Sequence, residues 1–288
     1  MSIDVQPMTL DDIDAVAGVV EAADAADERS RGREPETPSE AERAFMRLAT
    51  TRFVGRDACG SWVAAEAGTV VGMAEAVRRD DFWGLAMLFV HPSAQSRGIG
   101  RRLLDAALTY AEDAAVRMIL TSLDPRALRR YSGAGLAIHP AVEAEGTVDR
   151  STLPADLPGR PGTASDLDLV AEVDAGLRAS RAEDVEFLLS AGARMWVADR
   201  GTGRGYAVSR GGRLSMLGAT DEATASGLLW RFLAETEGKA SVWHLTAQQD
   251  WAVRVALTAR LPVAPTGPLF VSGMPLPPGP WIPSGWYF

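Results

Sequence analysis

Cysteine is almost missing: Cys59 is the single one in 288 residues. One thiol cannot build a disulfide framework or a cysteine-based zinc cluster. The three histidines, His91, His139 and His244, are scattered and give no metal-ligand spacing, so a metal-free chain is expected. Positive charge is also short, with 29 Lys and Arg against 38 Asp and Glu and a net charge of −9. That balance argues against nucleic acid as a partner and mildly favours a cationic substrate. No apolar run reaches membrane-spanning length. The opening MSIDVQPMTLDDIDAV also places acids where a signal peptide needs a basic region and an apolar core. The expectation is a soluble, cytoplasmic protein with no membrane partner.

What the chain does have is apolar content, 47% over 288 residues, enough for two ordinary domains with sizeable cores. It also repeats itself. VQPMTLDDIDAVAGVV from Val5 joins a short extended segment to Ile13, Val16, Ala17 and Val20 at helical spacing, with Thr9 or Asp11 as the cap. GRPGTASDLDLVAEV from Gly159 follows the same plan. A shift of 154 positions sets Pro7 on Pro161, Thr9 on Thr163, Asp12 on Asp166 and Val16 on Val170. WVAAEAGTVVG from Trp62 matches WVADRGTGRG from Trp196 at a shift of 134, both reading as strand, glycine turn, strand. The second copy is therefore expected to lack a loop, and the polar stretch ERSRGREPETPSEAERAFM is the extra loop and helix of the first.

AVEAEGTVDRSTLPADLPGRPG reads as a closing strand and a proline-rich linker, which gives expected domains 1–154 and 155–288. The last stretch, APTGPLFVSGMPLPPGPWIPSGWYF, holds too much proline for a helix or a central strand. Left free, Trp281, Ile282, Trp286, Tyr287 and Phe288 would form an adhesive end. The tail is expected to dock across the junction of the two domains.

WGLAMLFVHP from Trp83 is a nearly continuous apolar run that fits a buried strand, and IGRRLLDAALTYAED after it sets Leu103, Leu104, Ala107 and Leu108 on one helical face. Between them lie Gln95, Ser96, Arg97, Gly98, Ile99, Gly100 and Arg101, a strand-to-helix turn. Glycine costs backbone entropy, so Gly98 and Gly100 at a helix start suit a ligand that approaches the backbone closely. Successive amides there, aided by the helix dipole, bind a diphosphate, and Arg97, Arg101 and Arg102 add charge. A plain glycine-rich helix start is the ordinary reading of a lone G-x-G. The motif is not a P-loop, since no Gly-Lys-Ser/Thr follows, nor a dinucleotide fingerprint, since several strands precede it.

In that setting Gln95-Ser96-Arg97-Gly98-Ile99-Gly100 resembles the Q/R-x-x-G-x-G/A signature of the GNAT superfamily of N-acetyltransferases, and the element order agrees over residues 1 to about 150. The resemblance implies an α/β (α+β) fold of two tandem GNAT-like domains, each a mixed, mostly antiparallel central sheet flanked by helices. It implies acetyl-CoA as acyl donor, with its pyrophosphate on the Gln95–Arg101 turn. DPRALRRYSGAGL places Asp124, Ala127, Tyr131, Gly135 and Leu136 at the spacing of the family's Asn-x-x-Ala-x-x-x-Tyr-x-x-x-Gly-Phe pattern. Asp124 replaces asparagine and Leu136 replaces phenylalanine; the resemblance sets Asp124 and Ala127 beside the pantetheine arm.

The implied chemistry is direct attack of a substrate amine on the thioester. It needs a base for the ammonium, a donor for the oxyanion and a proton for the thiolate. The resemblance assigns the oxyanion to a backbone N–H at the splayed end of the central strand, at Leu88, Phe89 and Val90. Tyr131 is the expected acid, because a phenol with a pKa near 10 keeps its proton; otherwise it is a packing tyrosine. Glu75 is the expected base, with Asp80 and Asp81 as alternatives, and all three also fit solvated strand-end carboxylates. His91 reads as a polar loop residue. Some multidomain relatives use a C-terminal carboxylate as base, which here would be that of Phe288.

The second copy has Asp221 and Glu222 where the glycines and arginines stand, and Ala256 in place of Tyr131, so it is expected to be degenerate. Trp230, Trp243 and Trp251 read as core. A small-molecule amine is the expected acceptor, and the sequence leaves room for a homodimer. The alternative is a non-catalytic acetyl-CoA-binding sensor, against which Tyr131 argues.

Overall fold

The computed structural model describes residues 3–176, 179–199, 201, 203–273 and 279–286. The first copy runs β1 (Ile3–Pro7), α1 (Ile13–Ser30), α2 (Glu40–Arg56), β2 (Ser61–Glu66), β3 (Thr69–Arg79), β4 (Phe82–Val90), α3 (Ile99–Thr109), β5 (Val116–Leu120), α4 (Pro125–Gly133) and β6 (Ala137–Thr147). The second repeats it element for element: β7 (Arg160–Gly162), α5 (Leu167–Ala175), α6 (Ala182–Ser190), β8 (Arg194–Ala198), β9 (Gly205–Arg210), β10 (Arg213–Ala219), α7 (Glu222–Glu235), β11 (Lys239–Leu245), α8 (Asp250–Thr258) and β12 (Val263–Gly273). A short β13 (Trp281–Ile282) follows. None of the described helices is long and apolar enough to cross a membrane.

The repeat holds at the level of single residues. Thr9 with Asp12 and Thr163 with Asp166 form the same capping box, in which each partner satisfies an amide at the start of a helix. Pro7 lies opposite Trp62 in the β1–β2 ladder, and Pro161 lies opposite Trp196 in the β7–β8 ladder. The expected loss of a loop is a shortening of helices instead. The first copy has α1 and α2 of 18 and 17 residues, where α5 and α6 have 9 each. That difference carries most of the drop in shift from 154 to 134.

The chain forms two compact units, residues 1–78 with 83–117, and residues 79–82 with 118–288. In the first, β1, β2, β3 and β4 are neighbours in that order, with β1–β2 and β2–β3 antiparallel. Val16, Val20, Phe53, Val63, Met73, Leu103 and Leu104 fill its core. Alternation explains the β2 pattern: Val63 points inward while its neighbour Trp62 is partly exposed.

In the second unit the order is β5 (through Met118–Leu120), β12, β6, β11, β10, β9, β8 and β7. The division of the repeat near residue 154 and the division of the units at 117/118 therefore differ, and strand exchange is the reason. β6, the last strand of the first copy, pairs antiparallel with both β12 and β11 of the second. The core here gathers Ala144 and Val148 with Trp196, Leu217, Leu228, Phe232, Leu233 and Trp251. Two buried ion pairs lie within it. Arg79, at the end of β3, forms a bidentate pair with Asp184 of α6 at 2.8 and 2.7 Å. Arg181 and the Tyr206 hydroxyl share Asp174. Breaking one member of such a pair costs about 3–5 kcal/mol, because a charge is left buried without its partner. The tail docks at its described residues: Trp281 and Ile282 are buried and pair with β10 of the second copy.

Candidate functional site

α3 begins at Gly98, whose φ of +81° is a left-handed conformation that glycine adopts without a Cβ penalty. Nothing lies within 4 Å of where a Cβ would stand. Arg101 and Arg102 donate their amides to the Gly98 carbonyl, which closes the first turn. Among the described residues, the amides of Ser96, Arg97, Gly98, Ile99 and Gly100 meet no protein acceptor. Five successive unpaired N–H groups at a helix start make an anion cradle, and Ser96 at φ +62° adds a second left-handed residue to its curvature. The Gln95 side chain donates to the Val90 carbonyl at 3.1 Å and so ties the turn to the end of β4.

The arginines do not all serve the turn. Arg97 is held by Glu66 at 2.9 and 2.5 Å, and this pair keeps the Glu66 carboxyl below its usual range. Arg102 donates to the Ile3 carbonyl at 2.7 Å. Arg101 is 82% exposed, with Asp105 at 3.8 Å. His91 bonds Ser93 at 2.7 Å, as a loop residue would.

Tyr131, Asp124 and Ala127 belong to the second unit. Asp124 caps α4 by accepting from the Arg126 amide at 2.8 Å, with Pro125 at the first helical position. Burial would raise its carboxyl, but the hydrogen bonds and charge of Arg126 outweigh that and hold it low. Its carboxylate thus works for the helix. Ala127 is buried one turn before Tyr131 on the same face. The Tyr131 ring stands edge-on to Phe270 of β12, centroids 5.6 Å apart. Burial pushes its hydroxyl up, against the opposing effect of Arg130 and of a hydrogen bond with Thr121. The phenol therefore stays protonated through neutral pH. Gly267 leaves room for the close approach of the Thr121 backbone: a Cβ there would fall 1.5 Å from the Thr121 carbonyl oxygen.

Phe270, Thr121 and Arg130 were not among the residues that the sequence pattern singled out. Arg130 adjoins the motif, but Phe270 comes from the exchanged strand, which no local spacing reveals.

Glu75 is enclosed, not solvated. It sits on β3 opposite Ser61 with 0% exposure, and neither carboxyl oxygen has a hydrogen bond of sound geometry. Burial pushes its carboxyl up to about 8, the Thr50 hydroxyl opposing this and the Asp57 charge adding to it. It is not a solvated strand-end group but an enclosed carboxyl whose burial favours the protonated form. Asp80 and Asp81 form the β3–β4 turn, Asp80 exposed and at φ +51°. Phe288 lies outside the described residues.

The same place in the second copy is built differently. Asp221 caps α7, accepting from the Thr224 amide at 2.8 Å and the Thr224 hydroxyl at 2.9 Å. Ala252 and Ala256 are buried on α8, where no hydroxyl replaces that of Tyr131. Trp251 is core, as expected, while Trp230 is partly buried against the core cluster.

Residues 23–135 match the model of the acetyltransferase (GNAT) family. No curated protein matches the chain by sequence. Solved structures resemble its fold over nearly the whole length. A Pyrococcus horikoshii protein thought to be an acetyltransferase superposes with a TM-score of 0.79 at 14% identity, covering 99% of this chain and 96% of the other. A GCN5-related N-acetyltransferase from Sphaerobacter thermophilus gives 0.63 at 16% identity, covering 98% of each chain. A tandem GNAT protein from the clavulanic acid biosynthesis pathway gives 0.58 at 17%, covering 94% of this chain and 98% of that one. The chain thus matches the GNAT family model across residues 23–135, and along its length its fold resembles that of these solved structures.

Proposed function

We propose that this protein is an acetyl-CoA-dependent N-acetyltransferase that acts on a primary amine of a small acceptor. The observation that carries the reading is the run of five unpaired amides, Ser96 to Gly100, around a left-handed Gly98. Such a turn suits a diphosphate, and Arg101 is exposed to add charge. Acetyl-CoA would supply the activated acetyl group as a thioester. In this reading Gln95 to Arg101 hold the pyrophosphate, and the backbone of Leu88, Phe89 and Val90 donates toward the oxyanion. Ala127 keeps α4 slim beside the acyl arm. Tyr131, protonated at neutral pH, gives its proton to the departing thiolate. Glu75 stays out of the proton path, since it is enclosed and already protonated.

The test is release of free coenzyme A from acetyl-CoA in the presence of amino acids, polyamines, aminoglycosides and simple amines. Amine-dependent thiol release identifies the acceptor class. Binding of acetyl-CoA with no release across the panel would favour a sensor.

A further inference from the structure

The internal repeat allows the second copy to be read residue by residue against the first. His91, just past β4, donates its amide to Val71 at the start of β3; Thr220, just past β10, donates to Arg204 at the start of β9. Val90 therefore corresponds to Ala219, and Leu88–Val90 to Leu217–Ala219. These are the positions that the proposed function assigns to the acyl group in the first copy, and the inference rests on that reading for its meaning.

In the second copy this strand edge is occupied by the chain itself. β10 and β11 meet in parallel at Arg213 and Ser241. A bulge between Val242 and Leu245, where His244 takes φ +59°, then redirects β11. β13 pairs with β10 beyond that point, Ile282 opposite Leu217 and Trp281 opposite Gly218. The Ala219 amide donates to the Pro280 carbonyl at 3.0 Å. Trp281 and Ile282 are 3% and 1% exposed, Ile282 belongs to the core with Leu217 and Trp251, and its carbonyl faces the buried Arg181 guanidinium at 3.5 Å. An added strand satisfies the backbone of an otherwise open edge and buries its apolar side chains in the same step.

We propose that Pro280–Ile282 is an internal ligand that fills the second copy's acyl-arm groove and closes it to acyl donors. A backbone carbonyl of the tail stands on Ala219 where, in the first copy, a carbonyl of the donor would stand on Val90. Asp221 closes the adjoining helix start with its own carboxylate. The second copy is thus sealed at both the positions an acyl-CoA would need.

Amide hydrogen exchange of the full chain tests this, because Ala219 and Thr220 point to opposite edges of β10. Ala219 should exchange at least 100-fold more slowly than an unstructured amide. Ile282→Asp should speed Ala219 at least tenfold and leave Thr220, bonded to Arg204, within about twofold. Titration of the unaltered chain with acetyl-CoA should saturate at one equivalent. Unprotected Ala219 in the unaltered chain, or an Ala219 rate indifferent to Ile282→Asp, overturns the proposal; so does saturation at two equivalents. If the chain binds no acetyl-CoA while Ala219 stays protected, the function proposed above fails and the seating of the tail stands.

Discussion

Two helix starts in one chain solve the same problem in opposite ways. Every α-helix begins with amides that lack an intrahelical acceptor. At α7, Asp221 supplies the acceptor, and the Thr224 amide and hydroxyl hold its carboxyl below the usual range. At α3, Gly98 has no side chain to offer, its carbonyl takes only the Arg101 and Arg102 amides, and among the described residues the amides of Ser96 to Gly100 meet no acceptor. A side-chain cap stabilises a helix by about 0.5–2 kcal/mol. The first copy forgoes that stability and leaves its amides open; the second takes the stability and fills them with its own carboxylate.

Substituting at Gly98 should break the comparison most. Gly98→Glu forces a side chain into φ +81° and sets a carboxylate on the cradle, so acetyl-CoA affinity should fall at least 100-fold by calorimetry while thermal unfolding stays cooperative. Unchanged affinity would remove the turn from the site. Next, Tyr131→Phe should lower kcat at least tenfold and leave the dissociation constant of acetyl-CoA within about threefold, since a general acid acts in the transition state. A wild-type rate would make Tyr131 a packing residue against Phe270.

Glu75 gives a pH signature. Its carboxyl titrates at about 8 in the folded chain against 4.5 ordinarily. The folded state therefore holds a proton that the unfolded state releases. This group's contribution to stability is complete below about pH 4.5 and is lost progressively as pH rises to about 8. Glu75→Gln should flatten that decline in urea unfolding between pH 5 and 9, and kcat should stay within about threefold. Equal slopes in the two proteins would contradict the enclosed acid, and a 100-fold loss of kcat would restore Glu75 as the base.

The smallest effect belongs to Asp221→Ala. Losing the cap should cost about 1 kcal/mol, read as a lower denaturation midpoint. It should create no second acetyl-CoA site, because β13 still covers Leu217–Ala219. A second equivalent bound by this variant would mean that charge alone had separated the two copies.

The repeat, the buried β4, the glycine helix start at Gly98 and the docking of Trp281 and Ile282 were all legible in the sequence. Each depends on signals a few residues apart: helical periodicity, a capping box at Thr9 and again at Thr163, glycine at a helix start, apolar side chains that need cover. Tertiary structure alone decided which strand β6 would lie beside, that Phe270 would reach Tyr131, that Glu66 would claim Arg97, and that Glu75 would be sealed with its proton. Strand partners are chosen by pairing and burial across the whole chain, and a carboxylate's protonation follows from the water it loses in that packing. Local patterns therefore set what each segment of this chain becomes, whereas long-range contacts set what each side chain can do.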